Sequence, residues 1–189
     1  MRSRNGRGMT AGDEDMEIHR TEMLQTPDGY LSRVDYIGLF EHAGEIRDAI
    51  LQLKYKEKKR LSRFLADKAI PALQHLERCD VVTWAPTTPQ RRQERGFDQS
   101  ELIARHLASR MGVGHKRLLR RENNGRQTGS GREERLARPS FVSRPQLQGK
   151  SIWVIDDVMT TGATMRAAAE ALVQANAAQV TCIALTYVR

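Results

Sequence analysis

Ser151-Ile-Trp-Val-Ile-Asp-Asp-Val-Met-Thr-Thr-Gly-Ala-Thr164 is the stretch that decides how this chain is read. Ile152, Trp153, Val154 and Ile155 form a short apolar run, β-branched apart from the Trp, which suits a strand covered on both faces of a parallel sheet. Asp156 and Asp157 follow at its carboxyl end, where open α/β sheets place their ligands. Thr160, Thr161, Gly162, Ala163 and Thr164 come next. The alanine-rich stretch Ala167, Ala168, Ala169, Ala171 and Leu172 then continues as a strong helix former. The loop therefore opens a helix, whose free N–H groups and partial positive charge suit a phosphate monoester. Gly162 lets the backbone approach closely, and the threonine hydroxyls add donors. The two acids can accept hydrogen bonds from neighbouring hydroxyls of a sugar.

Acid-acid-x-x-Thr-Thr-Gly-x-Thr after an apolar strand resembles the fingerprint of type I phosphoribosyltransferases, which bind phosphoribosyl pyrophosphate (PRPP). The competing readings are an ordinary strand-to-helix turn with surface acids, and a Mg²⁺-dependent acid pair of the response-regulator kind. A P-loop is excluded, because the single Gly-Lys-Ser, Gly149-Lys150-Ser151, has Arg144 where the motif needs its first glycine and precedes the apolar strand instead of following it.

Composition sets the frame around that stretch. At 189 residues, 39% apolar and 29% charged, the chain has the make-up of a globular protein with one core, and no apolar run is long enough for a membrane helix. Residues 1–12 are polar and basic without the apolar centre of a secretory signal, so the expected location is cytoplasmic. Cys79 and Cys182 lie far apart in unlike contexts, which indicates neither a metal cluster nor a disulfide framework. The net charge of +8 is uneven: residues 87–150 hold fifteen Lys/Arg against six Asp/Glu, and the remainder is close to neutral. That excess would draw a polyanionic small molecule or a nucleic-acid backbone. A solvated basic face is the plainer reading.

Along the chain, residues 1–26 read as a disordered tail and residues 27–189 as one domain. Residues 30–40 alternate enough for one or two edge strands. The spacing of Ile46, Ile50 and Leu53, then Leu61, Leu65 and Leu73, predicts two amphipathic helices, broken near residues 56–60 and at Pro71. Residues 80–86 form a second buried-strand pattern. Residues 87–99 read as an arginine-bearing loop, residues 100–111 as a helix, Leu118-Leu119 as a short strand, and residues 120–139 as a mobile flap. Strands alternating with helices predict an α/β fold, a parallel sheet flanked by helices. The strands ending near Pro86 and Asp157 would then share one edge and one cleft. Trp84 and Trp153 read as core, and His42, His75, His106 and His115 show no ligand spacing.

With these pieces in place, the chain resembles the competence protein F (ComF) group of phosphoribosyltransferase-like proteins. The matching segments are Leu53-Lys-Tyr55, Ala85-Pro86, Arg95-Gly-Phe-Asp-Gln99, Arg120-Arg121, Gln127-Thr128 with Glu134-Arg135, Phe141, and residues 155–164. The resemblance implies PRPP binding by Asp156, Asp157, Val158, Met159, Thr160, Thr161, Gly162, Ala163 and Thr164, with the two acids as catalytic residues. It implies pyrophosphate contacts from Thr87, Arg91, Arg92 and Arg95, and a closing flap that carries Gln127, Arg132 and Arg135. Mg²⁺ would arrive on PRPP, with no direct protein ligand. Departures are visible. The four-cysteine zinc ribbon common in the family is not possible with two cysteines; Asp98 stands for the usual Asn, and Arg138 for another. Three functions compete: phosphoribosyl transfer to a nitrogen acceptor, a non-catalytic role in DNA uptake through single-stranded DNA or nucleotide binding, and PRPP sensing.

Overall fold

The computed structural model describes residues 18–56, 58–122, 139–143 and 147–188. Strand β1 (Ile18–Gln25) runs antiparallel to β2 (Leu31–Glu41), and helices α1 (Gly44–Tyr55) and α2 (Leu61–Leu73) follow. Next come β3 (Val81–Trp84), α3 (Pro89–Arg95), α4 (Gln99–Met111) and the two-residue β4 (Gly114–His115). The chain continues through β5 (Leu119–Glu122), β6 (Ser140–Ser143), β7 (Ser151–Met159), α5 (Ala163–Val173) and β8 (Gln179–Tyr187).

Six strands form one sheet in the order β1-β2-β8-β7-β3-β4, and β5 pairs with β6 in a small separate ribbon. All pairings in the large sheet are parallel except β1 with β2. The α/β expectation of a mostly parallel sheet flanked by helices therefore holds. Alternation along the strands divides the core. Trp153 and Ile155 of β7, with Val82 and Trp84 of β3, face α1, α2 and α4, whereas Ile152, Val154 and Val81 face α5 and the ribbon. A strand sandwiched in this way has no polar face, which is why its sequence reads as an unbroken apolar run.

Several boundaries differ from the sequence reading. Residues 1–26 are not all tail, because Ile18–Gln25 is the edge strand β1; residues 1–17 lie outside the described residues. The strand looked like a tail because its partners are polar. Thr21 Oγ1 donates to Asp35 at 2.6 Å, His19 Nε2 lies 3.2 Å from the same carboxylate, and the Tyr36 hydroxyl donates to Glu22 at 2.8 Å. Consequently β2 is interior rather than an edge. Pro71 does not break α2, since it sits in the last turn and removes one donor there.

Residues 87–99 are not a simple loop, because α3 occupies their centre. Its signals were present. The Thr88 side chain accepts from Arg91 N, Pro89 begins the helix, and Gly96 ends it at φ +70°.

Gly38 on β2 decides how tightly the sheet can close beside the site. A Cβ there would lie 2.8 Å from Cδ1 of the buried Tyr187 ring, and 3.1 Å from its Cβ. Neither atom is the free end of a flexible chain, so Gly38→Ala must displace the β8 end. The expected cost is about 1–3 kcal/mol, read as a lower midpoint in thermal unfolding followed by circular dichroism. An unchanged midpoint would show that Tyr187 yields.

Candidate functional site

The register places the carboxyl ends of β3, β7, β8 and β2 along one edge of the sheet. At that edge lies a cavity of about 510 Å³. Its walls include Asp156, Asp157, Val158, Thr160 and Thr164 from β7 and the following loop. Thr87, Arg91 and Arg95 come from the β3–α3 side, and Lys54, His42, Gln99, Ser100 and Arg121 from elsewhere.

The acid pair is held from two helices. The Asp156 Oδ1 accepts from the Ser100 hydroxyl at 2.9 Å, on the first turn of α4, and from the Asp157 backbone N–H at 2.9 Å. The Asp157 carboxylate is paired with Lys54 Nζ at 2.5 Å, near the end of α1. Both partners are largely sheltered from solvent. Enclosure of the carboxyl, and then the neighbouring Asp157 charge, lift the Asp156 pKa well above the ordinary carboxylate range.

Asp98 does not enter the cavity as a stray anion. Only 2% exposed, it caps α4 by accepting from Ser100 N at 3.1 Å and Glu101 N at 3.4 Å, and its other oxygen accepts from Thr87 N at 2.8 Å. With acceptor needed at both oxygens, an Asn in this conformation would turn its amide against an N–H. The acid thus ties the Thr87 loop to α4, while burial raises its pKa.

The helical period sorts the three arginines of α3. Arg91 and Arg95 lie four residues apart and face the cavity, Arg95 resting 5.5 Å from the Tyr55 ring centre. Arg92 is turned away and pairs with Glu101 at 3.4 Å, so the expectation that it contacts pyrophosphate is not supported by its position. Met159, Thr161, Gly162 and Ala163 line a neighbouring cavity of about 760 Å³ on the other side of the loop, with Thr160 shared between the two. Gly162 is required for its φ of +75° rather than for close approach, since a Cβ would meet only Met159 Sδ at 3.8 Å. Gln127, Arg132 and Arg135 lie outside the described residues, as does Arg138.

The sequence reading missed the parts played by Lys54, Ser100, His42 and Arg121. Lys54 and Arg121 lie in the segments Leu53-Lys-Tyr55 and Arg120-Arg121 that carried the resemblance, but their side chains come from elements distant along the chain. Arg121 donates to the Pro86 carbonyl at 3.3 Å and rests 5.4 Å from the Phe141 ring centre, which turns it toward the cavity. Gln99 Oε1 is buried in the wall without a hydrogen-bond partner among the described residues. Among the described residues, no group of three or more His, Cys, Asp or Glu side chains is placed to hold a metal ion. No helix among them is long and apolar enough to cross a membrane.

Residues 98–189 match the model of the phosphoribosyl transferase domain. Over 96 residues, half of this chain, the sequence is 35% identical to competence protein ComFC of Bacillus subtilis (strain 168). That match spans 38% of the relative's length. Among solved structures, adenine phosphoribosyltransferase from Thermoanaerobacter pseudethanolicus superposes with a TM-score of 0.44 at 16% identity, over 69% of this chain and 82% of the other. Glutamine PRPP amidotransferase from B. subtilis gives 0.43 at 23% identity, over 66% and 25%. Over residues 98–189 the chain is therefore similar in sequence to the phosphoribosyl transferase domain. Over half its length it is similar to the competence protein ComFC.

The electrostatics of the acid pair make a signed prediction. A raised folded pKa means that the native state binds the Asp156 proton more tightly than the unfolded chain, so stability falls as pH rises from about 3.8 through the folded value. Asp156→Asn keeps an Oδ1 acceptor for Ser100 and removes that penalty. The variant should unfold at a higher temperature than the wild type at pH 7, by roughly 2–4 °C for each kcal/mol recovered, and the gain should vanish near pH 4. Lys54→Met has the opposite sign. It leaves the Asp157 charge without its cation and should cost up to about 3 kcal/mol in denaturant unfolding, part of which Asp157→Asn in the same chain restores.

Proposed function

We propose that the cavity binds PRPP and that the protein transfers its phosphoribosyl group to a nitrogen nucleophile. The observation that carries this reading is the division of charge within one cavity: Asp156 and Asp157 on one wall, and Arg91, Arg95 and Arg121 on the other. A ribose lies naturally between such walls. Its hydroxyls would donate to the carboxylates, its 5′-phosphate would sit on the Thr160, Thr161, Gly162, Ala163 and Thr164 loop, and its pyrophosphate would meet the guanidinium groups and Thr87. As pyrophosphate leaves C1′, positive charge develops on the ribose, and fixed carboxylates beside it favour that state.

Lys54 adds a feature of this chain. Its ammonium group occupies Asp157 in the free protein, so ribose hydroxyls must share or displace it. The freed ammonium then becomes a further cation for the pyrophosphate. With both carboxylates already engaged, the residues do not make a protein-held metal centre; Mg²⁺ belongs to this reading as a partner of the pyrophosphate, carried in with it.

A second reading has its own support. The relative ComFC is a competence protein, and Lys58, Lys59 and Arg60 are exposed a few residues after Tyr55, which is exposed and lines the cavity. A non-catalytic module binding single-stranded DNA would show affinity falling steeply with salt and indifferent to Asp156 and Asp157.

Calorimetry with PRPP and Mg²⁺ separates the two. Wild type should bind, and the Asp156→Asn, Asp157→Asn double variant should lose about 10²–10⁴-fold in affinity, the worth of two hydrogen bonds to charged groups. Equal affinity in both proteins, or binding by neither, would discard the PRPP reading.

A further inference from the structure

His42 lies just beyond β2, two strands away from Asp157, and its ring reaches Thr186 on the intervening strand β8. Its backbone N–H is anchored on the Tyr187 carbonyl at 2.8 Å, and its Nδ1 lies 2.8 Å from Thr186 Oγ1. Thr186 is completely buried, and its hydroxyl donates to the Asp157 backbone carbonyl at 3.1 Å. A hydroxyl has one proton to give. With that proton given to the Asp157 carbonyl, the same oxygen accepts from the imidazole and Nδ1 carries the hydrogen, an assignment made from the heavy-atom network.

This network assigns the tautomer. In the neutral ring the lone pair is on Nε2, which has no hydrogen-bond partner among the described residues, and His42 forms part of the cavity wall. The charged groups facing it are Lys54 and Arg47 of α1 and Asp157 of β7. Partial burial and the two cations outweigh Asp157 and lower the imidazole pKa below its ordinary value, so the ring is neutral at pH 7.

We propose that His42 Nε2 is the proton acceptor of this site, taking the hydrogen of the incoming nitrogen nucleophile. The proposal rests on the phosphoribosyl-transfer reading above and narrows its acceptor. The nucleophile lone pair forms the new N–C1′ bond while the C1′–O bond breaks, and that electron pair leaves with pyrophosphate. The nucleophile's N–H proton passes to Nε2, leaving a neutral N-riboside phosphate and an imidazolium beside Asp157. Such a site suits an acceptor that enters with a hydrogen to lose, an amine or a ring N–H, rather than a fully substituted ring nitrogen. His42→Asn is the informative change, because its amide N–H can replace Nδ1–H toward Thr186 while no base replaces Nε2.

The first measurement is the long-range ¹⁵N–¹H spectrum of the labelled full chain at pH 7, in which His42 should show protonated Nδ1 and unprotonated Nε2. The second is pyrophosphate release from Mg²⁺–PRPP with hydroxylamine, and with a panel of free nucleobases, as probe nucleophiles. Wild-type kcat should fall on the acid side with an apparent pKa below the ordinary imidazole value of about 6.5. His42→Asn should lose about 10²-fold in kcat and that acid limb, with PRPP affinity within about threefold. His42→Ala should regain rate with added imidazole. An Nε2–H tautomer, or a His42→Asn enzyme with unchanged kcat and pH profile, overturns this proposal alone. Failure of the wild type to bind PRPP, or to release pyrophosphate with any probe, overturns the transfer reading and this role with it.

Discussion

Two adjacent carboxylates close a strand that is buried on both faces, and the surroundings of the site follow from the need to give them partners. A strand packed between two cores offers such groups little water, and a carboxylate left there unpaired is costly. Two helices meet that demand. The first turn of α4 supplies the Ser100 hydroxyl, and the end of α1 supplies Lys54. The site is assembled by elements whose packing elsewhere is apolar, with Ile103 and Leu107 of α4 and Ile50 and Leu53 of α1 all in the same core.

The solution is incomplete by design of the charges. Lys54 pairs with Asp157, and burial together with the neighbouring Asp157 charge leaves Asp156 easier to protonate than usual, a charge distribution that an incoming sugar can relieve. Such sites trade stability for binding. On the opposite wall the problem is reversed: Arg95 rests on the Tyr55 ring and Arg121 on the Phe141 ring and the Pro86 carbonyl, neither they nor Arg91 form an ion pair with a carboxylate among the described residues, and an anionic ligand would supply one. Asp98 belongs to neither wall. It spends both oxygens on backbone N–H groups and makes the Thr87 loop rigid against α4.

How much of this was legible depended on the range of the interaction. The β7 strand, the acids and the helix after Gly162 all announce themselves between residues 151 and 172, because burial on two faces, a loop with φ +75° and a run of alanines are local demands. Helix α3 was equally legible from Thr88, Pro89 and Gly96, and was passed over because its side chains are nearly all polar. Strand β1 was not legible by the same rule. Its stabilisation comes from Thr21, His19 and Glu22 meeting Asp35 and Tyr36 across the ladder, and polar cross-strand pairs leave no apolar period.

The sequence by itself determined the sandwiched strands, the acid pair at the end of one of them and the loop that opens α5, since each follows from backbone geometry and burial over a few neighbouring residues. Tertiary structure alone decided that Arg91 and Arg95 face the acids while Arg92 turns to Glu101, that Lys54 neutralises Asp157, and that the Thr186 hydroxyl lies between His42 Nδ1 and the Asp157 carbonyl. Those outcomes join residues up to 144 positions apart. No local propensity encodes which of several arginines, lysines or histidines will meet a given carboxylate; only the parallel register and the packing of α1 and α4 bring the chosen ones within hydrogen-bond reach.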